Sequence, residues 1–199
     1  MNQLFDLDSI ISHSEQPIFA VFDTETTGLT VHHQGEIEKQ PRVIEFAGII
    51  TDGVDILHEL EFICDPGIAI DEIITKITGL TNEDLKGRPK FEDFIPRMDD
   101  YFGRANIAVA HNLSFDESLL EYDLKRVGLK LDAISFPKYK CCTVEQTIPL
   151  FGRRMKLEQL YNMFIGHYEQ KHRAMDDILL THEICKHLGI YKSWNGALK

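Results

Sequence analysis

The sequence predicts an α/β fold, a mixed central sheet flanked by helices. Residues 17–25 read as a strand that runs from apolar Ile18-Phe19-Ala20-Val21 into "FDTET", and "RVIEFAGIITDGVDILHELEFIC" (42–64) reads as a hairpin. Further on, "ANIAVAHN" (105–112) has the short unbroken apolar run of a strand buried on both faces, as parallel pairing requires. Helix-period segments precede and follow that run. Strands in a meander followed by alternating helix and strand give a sheet of mixed direction.

Each element has a local cause. The hairpin turn is placed at Asp52-Gly53, a favoured dipeptide between two alternating strands. The polar stretch 30–40 separates it from the first strand, and 65–89 is expected to be loop with short helical turns. Phe91, Phe94, Ile95, Met98, Tyr101 and Phe102 recur at helical spacing, with Pro96 confined to the first turns. "LSFDESLLEYDLKRVG" (113–128) is a helix in which Ser114 is the expected N-cap, Glu117 completes a capping box, and Gly128 ends it. Residues 144–151 and 156–164 form two more helices, and a last helix covers about 173–188 and stops at Gly189. No repeat or Pro/Gly/Ser-rich linker divides the 199 residues, so 1–199 is expected to be a single domain with its core at about 17–189.

Composition narrows the classes. Hydrophobic content of 43% and aromatic content of 10% suit a globular core. No apolar stretch approaches the roughly 20 residues of a membrane span, and the N-terminus lacks the pattern of a secretory signal. Cys64, Cys141, Cys142 and Cys185 have no metal-site spacing and are expected to be reduced thiols in a cytoplasmic protein. A net charge of −11 argues against a general nucleic-acid coating protein but not against an enzyme that meets phosphate through divalent metals.

The chemistry lies in acids at the ends of predicted elements. Asp23 and Glu25 are two apart in a strand and share one face, where unpaired charges repel and resist desolvation. Asp116 begins an inward stripe with Leu119, Leu120, Asp123, Leu124 and Val127. On the last helix, Asp177 shares a face with Ala174, Ile178, Thr181, Cys185 and Leu188, while Asp176 is turned about 100° away. His172 stands at or just before that helix. Carboxylates of this kind suit Mg²⁺ or Mn²⁺, and two such ions roughly 4 Å apart stabilise both the attacking and the leaving oxygen of a phosphoryl displacement. Lys171 and Arg173 offer the competing reading of a phosphate-contacting surface.

"FDTETTG" (22–28), "HNLSFD" (111–116) and "HRAMDD" (172–177) resemble, in order, the three motifs of the DEDDh, or DnaQ-like, 3′→5′ exonucleases. That family includes the proofreading epsilon subunit of bacterial DNA polymerase III. "ITGLTNEDL" (77–85) resembles the stretch between the first two motifs, with Thr78 where epsilon-like members often carry histidine. The resemblance implies a ribonuclease H-like fold. It implies two divalent ions held by Asp23, Glu25, Asp116 and Asp177, and His172 as general base. The histidine subclass places its base five residues before the last Asp, as here; the tyrosine subclass would need Tyr where this chain has Arg173. Thr26, Thr27, Gly28 and Leu29 are expected to cradle the terminal nucleotide, with Asn112 and Phe115 as second contacts.

The implied partner is the 3′ end of a nucleic acid, single-stranded DNA before RNA. An RNA-directed exonuclease and an inactive nucleic-acid-binding scaffold are the alternatives. A DNA polymerase partner is compatible with the family, without the long C-terminal tether, since only "IYKSWNGALK" follows Gly189.

Overall fold

The computed structural model describes residues 16–30, 36–168 and 173–195. Its strands are β1 (Phe19–Thr26), β2 (Val43–Thr51), β3 (Ile56–Ile63), β4 (Ile107–Ala110) and β5 (Tyr139–Cys142). The helices are α1 (Glu72–Thr78), α2 (Asn82–Leu85), α3 (Ile95–Phe102), α4 (Leu113–Arg126), α5 (Thr143–Phe151), α6 (Leu157–Phe164), α7 (Ala174–His187) and α8 (Ile190–Ser193). The five strands form one sheet in the order β3-β2-β1-β4-β5. β1 pairs antiparallel with β2, and β2 antiparallel with β3. On the other side β4 runs parallel to β1, and β5 parallel to β4. This is the mixed sheet expected from the sequence.

Strand alternation sorts β1 onto two cores. Ala20 and Phe22 face a layer with Met98, Tyr101 and Phe102 of α3 and Leu119, Leu120 and Leu124 of α4. Phe19 and Val21 face the opposite layer with Ala174, Ile178 and Cys185 of α7 and Tyr191 of α8. Covering on both sides buries β2 along its whole length, so the alternation expected of the hairpin survives only in β3, at the sheet edge.

Several local expectations change. The hairpin connection has four residues, 52–55, because the Asp52 carboxylate accepts from Val54 N (2.8 Å) and Asp55 N (2.9 Å) and closes a wider turn; Gly53 has φ +92°. Ser114 is not an N-cap. β4 passes directly into α4 through Asn112, which adopts φ +73°, so the helix starts at Leu113 with Ser114 already inside. The capping box therefore does not form, and Glu117 pairs with Lys140 on β5. Val127 lies past the last turn of α4 and is 40% exposed, off the inward stripe. β5 and α8 were absent from the sequence expectation; each is only four residues long. All four cysteines are free and buried.

One close approach fixes the β1–β2 pair against α3. The fully buried Tyr101 hydroxyl is shared between the carbonyls of Val21 (2.9 Å) and Ile49 (3.1 Å). Gly48 makes room for that ring: a Cβ there would lie 2.4 Å from the hydroxyl oxygen. Gly48→Ala is expected to destabilise the protein by about 1–3 kcal/mol through overpacking. Urea unfolding checks this, and an unchanged midpoint would mean that Tyr101 withdraws freely.

Candidate active site

The alternation that sends Phe19 and Val21 under α7 carries Asp23 and Glu25 to the same side. β1 thus ends its core-facing row in two carboxylates. The first turn of α7 delivers Asp177 to them, its amide bonded to the Arg173 carbonyl at 3.0 Å. Ligand oxygens of Asp23, Glu25 and Asp177 all lie within 4.8 Å of one another. Asp176, next to Asp177, is not part of that group, in keeping with the helix phase read from the sequence.

Asp116 approaches from the first turn of α4 and is 2% exposed. Thr24, pointing away from Asp23 across β1, donates its amide (3.1 Å) and its hydroxyl (2.7 Å) to Asp116 Oδ1. That pair of bonds ties the second motif to the first. Asp116 stands outside the 4.8 Å group, yet among the acids around Asp23 it exerts the strongest repulsion.

Burial and mutual repulsion dominate the electrostatics. Burial, then Asp116, Glu25, Asp177 and Glu45, hold the Asp23 carboxyl well above the usual range. Burial, then Asp177 and Glu45, push Glu25 up to about 8, with Arg173 pulling the other way. Burial raises Asp116 to about 7 although the Thr24 bonds favour its charged form. Hard oxygen donors so short of positive charge fit Mg²⁺ or Mn²⁺, which prefer carboxylate oxygen, better than a thiophilic metal.

Sequence reasoning missed a further acid in this crowding. Glu45 on β2 is fully buried and lies directly opposite Glu25 in the antiparallel register. Like charges opposite one another repel. The Arg173 guanidinium answers with Nε at 3.0 and 3.1 Å from the two Glu45 oxygens and Nη2 at 2.5 Å from Oε1. Ala174 N adds a weaker bond to the same carboxylate at 3.4 Å. Arg173 thus spends its Nε and Nη2 on Glu45. An acid inside an apolar strand was the available signal; its partner, 128 residues away, left none.

The other expected site residues divide. Asn112 lines a pocket of about 450 Å³ together with Asp23 and Asp177. Thr26 and Thr27 spend their hydroxyls on the turn: Thr26 Oγ1 donates to Gly28 O (2.5 Å), and Thr27 Oγ1 accepts from Arg42 N (3.0 Å). They shape the backbone around Gly28, and Leu29, next in the chain, is 81% exposed. Phe115 is half-buried against the α3/α4 core rather than in the pocket. Thr78 is buried and bonds the Ile74 carbonyl at 3.0 Å. His172 and Lys171 lie outside the described residues.

The sequence profile described as "Exonuclease" (RNase_T) matches residues 20–185. The chain belongs to the exonuclease family. It is 30% identical over 168 residues to DNA polymerase III subunit epsilon of Aquifex aeolicus, covering 83% of this chain and 77% of that one. It has the same identity to the PolC-type DNA polymerase III of Caldanaerobacter subterraneus subsp. tengcongensis, but spans only 11% of that much longer protein. Among solved structures, Exonuclease X in complex with 5′ overhanging duplex DNA has a TM-score of 0.63 at 25% identity, covering 88% of this chain and 93% of that one. The E. coli ExoI–ssDNA complex has a TM-score of 0.73 at 18% identity, over 92% of this chain and 42% of that one, and shows the ribonuclease H-like fold of DnaQ-like exonucleases. No helix of the described residues is long and apolar enough to cross a membrane.

The raised carboxyls set a pH dependence for the metal-free protein. Asp23, Glu25 and Asp116 hold protons in the folded state to higher pH than in the unfolded chain. Stability falls with rising pH wherever the folded state binds more protons. In chelator, the melting temperature is expected to drop from about pH 5 to about pH 8, as the carboxyls ionise within the fold. Glu25→Gln should flatten the upper part of that profile; a wild-type profile that rises over the interval would contradict the assignment.

Proposed function

We propose that this exonuclease removes nucleotides one at a time from the 3′ end of single-stranded DNA, in the cytoplasm. The observation that supports it best is the meeting of Asp23, Glu25 and Asp177 within 4.8 Å, with Asp116 tied beside them through Thr24. Residues 1–199 act as a single exonuclease domain. Asp23, Glu25, Asp116 and Asp177 hold two divalent ions, Mg²⁺ or Mn²⁺. When bound, these supply an acidified water and charge stabilisation for the departing oxygen.

The chain's own groups do the rest. The carboxylates repel the scissile phosphate themselves and would engage it only through the divalent ions they hold. Leu29 and the backbone of 26–28 receive the last nucleotide, and Asn112 contacts it from the other side. His172 takes the proton from the attacking water. The new P–O bond forms as the bond from phosphorus to the 3′-oxygen of the preceding nucleotide breaks. That oxygen takes a proton from solvent and leaves as a hydroxyl, and a nucleoside 5′-monophosphate is released. The epsilon and PolC-type relatives support a DNA polymerase as partner.

The test uses 5′-labelled single-stranded DNA and RNA of one sequence. Shortening from the 3′ end is expected with Mg²⁺ or Mn²⁺, faster on DNA, and lost in excess chelator. Faster cleavage of RNA would move the assignment to an exoribonuclease, and binding without shortening to a scaffold.

Single-turnover assays assign the acids. Asp177→Asn is expected to abolish cleavage and Asp176→Asn to have a mild effect; the reverse would overturn the helix register. His172→Ala should slow turnover by about 10²–10⁴-fold, as for loss of a positioned base, with Mn²⁺ affinity little changed. An unchanged rate would remove His172 from the mechanism.

A further inference from the structure

A chain of net charge −11, with acids gathered at its site, must still receive a polyanion. "GRRMK" (152–156), the whole connection from α5 to α6, places three cations in four positions. Arg154 and Lys156 line the pocket that also holds Asp23 and Asp177, and both are exposed. Among the described residues, no acid forms an ion pair with either of them.

Their placement is built. Met155 between them is buried, and its carbonyl meets His111 Nε2 at 3.1 Å, while His111 Nδ1 meets Thr143 Oγ1 at 2.8 Å. A carbonyl only accepts, so Nε2 carries the proton and Nδ1 accepts from the threonine hydroxyl. Burial pushes the His111 pKa down to about 4, so the ring is a neutral tie rather than a charge. Arg154 Nη2 donates to Asn112 Oδ1 at 2.6 Å, which fixes the guanidinium beside the junction of β4 and α4. One of its five donors is thereby engaged and the rest of the fork remains for a ligand.

We propose that Arg154 and Lys156 form a phosphate-binding subsite for the backbone of the substrate strand. This rests on the exonuclease reading above. If the scissile phosphodiester occupies the carboxylate cluster at the 3′ end, every other phosphate lies to its 5′ side. The Arg154–Lys156 edge of the pocket receives the first of them. Arginine and lysine there offset the repulsion between the acids and the strand and set how the strand enters.

The experiment compares two substrates with wild-type protein, Arg154→Gln, Lys156→Gln and the double variant. One is a single-stranded DNA oligonucleotide; the other is the p-nitrophenyl ester of thymidine 5′-monophosphate, which carries only the phosphodiester to be cleaved. On the oligonucleotide, KM of the double variant is expected to rise about tenfold with kcat nearly unchanged. The slope of log(kcat/KM) against log salt should become shallower by about 0.7 for each cation removed. On the ester, all four proteins should behave alike. Equal KM and salt slope on the oligonucleotide would overturn the subsite, as would a matching loss of kcat on both substrates. A wild-type protein that cleaves neither substrate would instead overturn the exonuclease reading. Melting temperatures confirm that the exposed substitutions leave the fold intact.

Discussion

Carboxylate repulsion at the end of β1 is the constraint around which this molecule is arranged. Asp23, Glu25, Asp116 and Asp177 come from one strand and the first turns of two helices, and Glu45 stands directly across from Glu25. Without compensation, buried charges this close are among the costliest features a fold can carry. The protein answers in two ways. It holds protons on Asp23, Glu25 and Asp116 well above the ordinary range, and it clamps Glu45 with Arg173. The clamp also fixes the start of α7, so the interaction that relieves β2 is the same one that places Asp177.

The two-layer packing serves that end. Phe19 and Val21 set the face on which Asp23 and Glu25 emerge, while Thr24, on the opposite face, secures Asp116. One strand thereby indexes acids from α4 and α7 at once. Gly48 lets Tyr101 reach the carbonyls of β1 and β2, which holds the pair of strands bearing Glu25 and Glu45 in register.

Period and spacing made much of this legible. The two-residue step from Asp23 to Glu25 and the helix phase of Asp177 each fix a direction from local geometry alone, and the structure brings those acids together. The three motifs carried the family. Features set by distant contacts were not readable. Ser114-x-x-Glu117 has the form of a capping box, but β4 runs straight into α4 and Lys140 takes Glu117. β5 has only four residues and is defined by pairing with β4, not by its own pattern. The role of Glu45 was not readable because its partner, Arg173, lies 128 residues away. Nothing local in Thr26 and Thr27 told that their hydroxyls bond the backbone of Gly28 and Arg42.

A cluster of this composition calls for a divalent metal rather than a cation of the chain. Anomalous scattering from crystals soaked in Mn²⁺ tests it most directly. A peak is expected in contact with the carboxylates of Asp23, Glu25 and Asp177, with Arg173 still bound to Glu45. A cluster without a peak, its acids neutralised by a lysine or arginine turned inward, would contradict it.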